Sequence, residues 1–186
     1  LLVRAVTSAS CDGRGAPEFL TQDLELIRGS SATTRTWESV FGAKFPAGNT
    51  GSKNGRIENG QYASLSLDTV DVTPGQPGNI KFQDTTTSGD AEVGSVVWSI
   101  SQCPGDFGPA VPDSCRGIAN PRGVNKFMRW QVGGTSSFRC VMEPDAVYFI
   151  NMVPARRVPE GQDVDWQCAG SSTLRACEFL FDQRPE

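Results

Sequence analysis

The chain has 186 residues, of which 21 are acidic and 17 basic; its net charge is −4, and 38% of its residues are hydrophobic. That length suits one domain around a single core, and the acid excess argues against nucleic acid, whose phosphates need a basic surface. No apolar run approaches the roughly 20 residues of a membrane span, and the absence of histidine removes the commonest general base and metal ligand.

The opening stretch, "LLVRAVTSAS", has charge and apolar residues in the wrong order for an export signal, as expected of a mature or trimmed chain. Its alternation suits a first strand, or one donated to a neighbouring molecule. "APEFLTQDLELIRG" fits a helix or, from Leu24, an extended segment, and is read as extended. In "TTRTWESVFGAKFP" the aromatics Trp37, Phe41 and Phe45 recur every fourth residue, which puts them on one face of a short helical turn. "PAGNTGSKNGRIENGQ" reads as loop by composition. Residues 1–58 would form an N-terminal arm or elaboration of the single domain, 1–186.

Beyond Gly60 the period becomes two. "QYASLSLDTV" sets Ala63, Leu65 and Leu67 against Tyr62, Ser64 and Ser66, and "GNIKFQDTTT" repeats the alternation with Ile80 and Phe82. "GSVVWSISQC" sets Val96, Trp98 and Ile100 against Val97, Ser99 and Ser101. "NKFMRWQVGG", "SSFRCVME" and "AVYFINMVP" read as strands, with "GTSS" as a tight turn between the first two; "VDWQCAG" and "RACEFLF" close the series. The expected fold is an all-β antiparallel sandwich, jelly-roll or immunoglobulin-like, stapled by disulfides and with little helix.

Six cysteines without a C-x-x-C pair point to disulfides in an oxidising compartment: extracellular, cell-surface or periplasmic. "CPGDFGPAVPDSC" is too rich in proline and glycine for a helix or strand, so Cys103–Cys115 is the simplest closure. Cys168 and Cys177 flank the turn of an expected hairpin, which leaves Cys11–Cys140; exchange among the last four stays open.

Candidate sites are sparse. Asp106 and Asp113 are oxygen donors of the kind Ca²⁺ takes, although a surface loop anchored by Phe107 is the simpler account, and no cofactor is expected. Asp68 and Asp71 are a further acidic pair, and Asp90/Glu92 and Asp163/Asp165 each put two carboxylates on one strand face, as a glycan-cleaving enzyme would need. No serine-nucleophile or phosphate-loop pattern occurs. Trp98 and Trp130 sit in alternating strand patterns and read as core. Trp37 and Trp166 have polar neighbours and are the better candidates for stacking on a sugar ring.

The chain resembles uncharacterised exported proteins of Gram-negative bacteria. The resembling segments are "NGQYASLSLDT", "VWSISQCPGDFGPAVPDSC", "MRWQV" and "FRCVMEPDAVYFINMV", within about residues 59–153. "EPDAVYFIN" is also similar to a strand-entry turn of extracellular sandwich domains, "EPGKTYYLN", with Asp145 and Ala146 at its Gly and Lys. The resemblance implies export and a sandwich fold, and brings no catalytic or ligand-binding residue with it. The expected function is a secreted or cell-surface binding or adhesion domain without catalysis, carbohydrate being its ligand and loops 46–60 and 103–123 its contact surface. Alternatives are a subunit of an extracellular filament or virion coat, assembled by strand addition, and a glycan-cleaving enzyme.

Overall fold

Strand formation follows the alternation closely. In the computed structural model, which describes residues 11, 33–48, 51–58, 62–83, 95–108, 110–119, 127–155 and 176–185, the elements are β1 (Thr33–Thr36), α1 (Trp37–Phe41), β2 (Lys53–Glu58), β3 (Ala63–Asp68), β4 (Pro77–Gln83), β5 (Ser95–Ser101), β6 (Arg116–Ala119), β7 (Phe127–Val132), β8 (Cys140–Met142), β9 (Val147–Ala155) and β10 (Ala176–Pro185). A single 3₁₀ turn, Asp113–Cys115, leads into β6.

These strands form two sheets, ordered β1-β3-β9-β5-β6 and β2-β10-β4-β7-β8. Both face one core. Leu65, Leu67, Trp98, Ile100 and Ile150 point into it from the first sheet, and Ile80, Phe82, Met128, Trp130 and Phe181 from the second. The protein is thus an all-β, two-sheet sandwich with almost no helix.

Two pairings differ from the expected antiparallel pattern: β1 runs parallel to β3, and β7 parallel to β8. The "GTSS" segment therefore does not close a tight hairpin. Gly133 and Gly134 take successive positive φ values of 67° and 74°, which turns the chain back so that Cys140 lies beside Trp130. β2 arises inside a segment read as loop. Its anchor is Ile57, buried at 4% exposure beside β10, so sheet pairing overrides a Gly/Asn-rich composition. At the entry to β9, Asp145 has a φ of 55°, the left-handed conformation for which the similar turn uses glycine.

Helix α1 begins with a reciprocal capping box. Ser39 N donates to Thr36 Oγ1 at 3.1 Å, and Thr36 N donates to Ser39 Oγ at 3.2 Å. Gly42, with φ 77°, ends the helix. Glu38 and Ser39 face water, while Trp37 and Phe41 face the core. Trp37 packs on Phe41 and Phe45, Phe41 on Phe181, and Phe45 on Trp130, at ring-centroid separations of 4.3, 4.8, 5.9 and 4.6 Å. The spacing of the three aromatics thus marks a buried plug between the sheets.

The disulfides differ from the expected pairs: Cys11 bonds to Cys103, and Cys115 to Cys140. The pleat gives the reason. Val97, Ser99 and Ser101 point out of the first sheet, and Cys103 continues on that side, outside the core cluster; Cys115 and Cys140 belong to the core. The sheet thus separates Cys103 from Cys115. The bridges close loops with sequence separations of 92 and 25 residues, worth about 4.5 and about 3.5 kcal/mol by chain entropy. Of the expected Cys168–Cys177 pair, Cys168 lies outside the described residues and Cys177 falls in β10, opposite Ile57. Peptide mapping of unreduced protein should return Cys11–Cys103 and Cys115–Cys140 fragments, with Cys168 and Cys177 left for each other. A Cys103–Cys115 fragment would contradict the arrangement.

Candidate functional site

The proline-rich segment after β5 covers the outer face of the first sheet. Ser64, Ser99, Ser101 and Asn151 lie on that face and are all buried. Asn151 Oδ1 accepts from Ser64 Oγ at 2.6 Å and from Gly105 N at 2.8 Å. Its Nδ2 donates to Ser99 Oγ, Ser101 Oγ and the Cys103 carbonyl at 3.1, 3.0 and 3.3 Å. Ser99 Oγ also donates to the Asp106 carbonyl at 2.6 Å. The polar side of an alternating strand is here a buried, hydrogen-bonded layer that holds a loop.

Gly105, at φ 70°, takes the position of a Pro-Gly turn that requires glycine. A Cβ there would come within 2.6 Å of the Tyr62 ring. Phe107 is fully buried, as its expected anchoring role requires. Burial raises the Tyr62 hydroxyl above its ordinary pKa.

Asp106 and Asp113 serve this loop in different ways. Asp106 is buried, and its Oδ1 accepts from Gly108 N at 3.0 Å. Asp113 has a side chain 92% exposed and pairs with Arg116 at 2.6 Å. Arg116 in turn donates to the Gly108 carbonyl at 3.1 Å. One carboxylate caps a turn, and the other orients a guanidinium. No group of three or more His, Cys, Asp or Glu side chains among the described residues could hold a metal ion.

Past this loop, at the β6 edge, a cleft of about 380 Å³ opens between β6, β7 and the segment before β8. Trp98, Arg116, Ile118, Phe127, Arg129 and Phe138 form most of its lining. The alternation of β7 turns Met128 and Trp130 inward, leaving Phe127 half-buried and Arg129 exposed. The Arg129 guanidinium lies 5.7 Å from the Phe127 ring centroid, and that of Arg139 lies 4.7 Å from Phe138, cation–π distances in both cases. Phe138 is 60% exposed. Arg129 has no carboxylate partner among the described residues. The surface combines flat apolar rings with guanidinium donors and the hydroxyls of Ser114 and Ser137.

Of the stacking candidates, Trp37 is 1% exposed and its Nε1 donates to the Ala47 carbonyl at 2.7 Å. It is a core residue, not a ligand platform, because its polar neighbours occupy the opposite side of α1. Trp166 lies outside the described residues, as do Asp90, Glu92, Asp163 and Asp165. Trp98 and Trp130 are buried as expected. The sequence reading missed Phe127, Arg129, Phe138 and Arg139. A signal was present, since Phe127 and Arg129 share the polar parity of β7, where an aromatic residue is out of place.

No protein-family model matches this chain, and no curated protein does. Among solved structures it is similar to the crystal structure of Aeromonas hydrophila PliG, a periplasmic lysozyme inhibitor of g-type lysozyme, at 10% identity and a TM-score of 0.40, over 83% of this chain and 99% of that one. No helix among the described residues is long and apolar enough to cross a membrane.

Replacing Asn151 with Ala should cost on the order of 3–5 kcal/mol, since it strands several buried donors and acceptors at once; chemical denaturation measures it, and a loss under 1 kcal/mol would contradict the role. Tyr62 sets a pH dependence. With its folded pKa raised, the folded state holds the phenolic proton more tightly, so this contribution is complete below the unfolded value of about 10 and is lost as pH rises through the folded value. Stability should fall more steeply above about pH 10 in the wild type than in Tyr62→Phe.

Proposed function

We propose that this protein is a non-catalytic binding domain of an oxidising compartment outside the cytoplasm, with the β6–β7 cleft as its contact surface and carbohydrate bearing acidic groups as its ligand. Arg129 carries the reading: an exposed guanidinium over a phenylalanine ring, without a carboxylate partner among the described residues, in an acidic protein. Aromatic rings offer faces to a sugar ring, and guanidinium offers paired donors to a carboxylate or sulfate. The two disulfides support an extracellular, cell-surface or periplasmic location.

Assembly by strand addition is less well supported. The edge strands β1, β2, β6 and β8 have four, six, four and three residues, and three of the four are short platforms of the kind that discourage added strands.

A glycan array with and without calcium tests the proposal. Carboxylated or sulfated glycans should bind in both conditions, and Arg129→Ala should weaken binding about tenfold or more, the worth of one charge-assisted hydrogen bond. Silence across a broad array would overturn the carbohydrate assignment.

A further inference from the structure

Among the described residues, four large apolar side chains are exposed: Val70, Ile118, Phe138 and Val147. They are not scattered. Ile118 and Phe138 line the arginine-bearing cleft at the β6 edge, while Val70 and Val147 line a second cleft of about 350 Å³ towards the β1–β3 edge of the same sheet.

The second cleft has the opposite charge. Trp37, Phe45, Leu67, Val70 and Val147 supply its apolar surface, and Glu38, Asp68 and Asp71 stand around it with one cation, Lys44. None of these three carboxylates has an ion-pair partner among the described residues. Asp68 Oδ1 accepts from Val70 N at 2.8 Å, which fixes the rim beside the exposed valine. The chain thus carries an apolar hollow with an acidic rim towards one edge of a sheet. Towards the other edge it carries an exposed phenylalanine flanked by arginines.

We infer that these two surfaces are complementary and that the occupant of the acidic hollow is a second copy of this chain. Phe138 of one molecule enters between Val70 and Val147 of the next, and Arg129, which lines the same cleft as Phe138, meets Glu38, Asp68 and Asp71. Phe138 suits the role because it sits on the turned-back segment before β8 and is the most exposed large apolar side chain among the described residues. The contact is heterologous, knob on one copy and hollow on the next. Each copy keeps one free knob and one free hollow, so association continues head to tail. Opposite charges at the rims set orientation and make the contact sensitive to salt. This inference does not depend on the carbohydrate ligand proposed above, although a ligand in the β6–β7 cleft would compete with the contact.

Sedimentation velocity of the purified chain tests it. The average mass should rise above the 20.0 kDa of one chain as concentration increases, and less so at high salt. Phe138→Ser, which removes the knob, and Val70→Arg, which blocks and charges the hollow, should each be monomeric while keeping the wild-type circular dichroism. Mixed one to one, they should form a dimer and nothing larger, because only the hollow of the first and the knob of the second remain. A wild type that stays monomeric throughout, single variants that still associate, or a mixture that does not dimerise would each overturn the inference. The glycan array reads the other proposal separately, so either can fail alone.

Discussion

The carboxamide of Asn151 is the constraint on which the rest of the molecule depends. It sits on β9, a central strand of the first sheet, and both of its polar atoms are buried and bonded. A buried amide is tolerable only when its donors and acceptors are satisfied. Three serines and the backbone of the Pro-Gly turn satisfy this one. That requirement places the segment after β5 against the outer face of the sheet, which in turn fixes Cys103 on that side and brings the chain back to Cys115 on the core side. From there β6 must pair with β5, Trp98 lies against Gly117, and the edge that forms the arginine-bearing cleft is set.

Core packing imposes the second constraint. Two sheets leave an opening between them, and α1 with its following turn fills it with Trp37, Phe41 and Phe45. The capping box starts this short helix and Gly42 stops it, so it needs little intrinsic stability once its rings are packed. Burial of large aromatic surfaces dominates such a cluster, which is why Trp37 is drawn inward despite polar neighbours on either side.

Charge is distributed unevenly over the surface that remains. Arginines gather with phenylalanines towards one edge of the first sheet, and carboxylates with valines towards the other. Apolar patches rimmed by polar groups mark interaction surfaces or ligand-binding grooves. The described residues show two such patches and no cluster of metal-ligating side chains.

The sequence by itself determined the β class, the strands β3, β4, β5, β7, β8, β9 and β10 but not β6, the inward Trp98 and Trp130, the helical spacing of Trp37, Phe41 and Phe45, and the anchoring Phe107. These follow from local periodicity and turn chemistry, which act over a few residues. Tertiary structure alone decided that Ser99, Ser101 and Asn151 lie under a covering loop, since a polar stripe reads the same whether water or backbone satisfies it. It also decided the disulfide partners, because the pleat sends neighbouring cysteines to opposite sides of a sheet. The parallel runs of β1 and β8, the strand within the glycine-rich stretch and the two clefts all depend on which distant segments meet. That choice is made by packing and backbone pairing across the whole chain, and no short window of residues contains it.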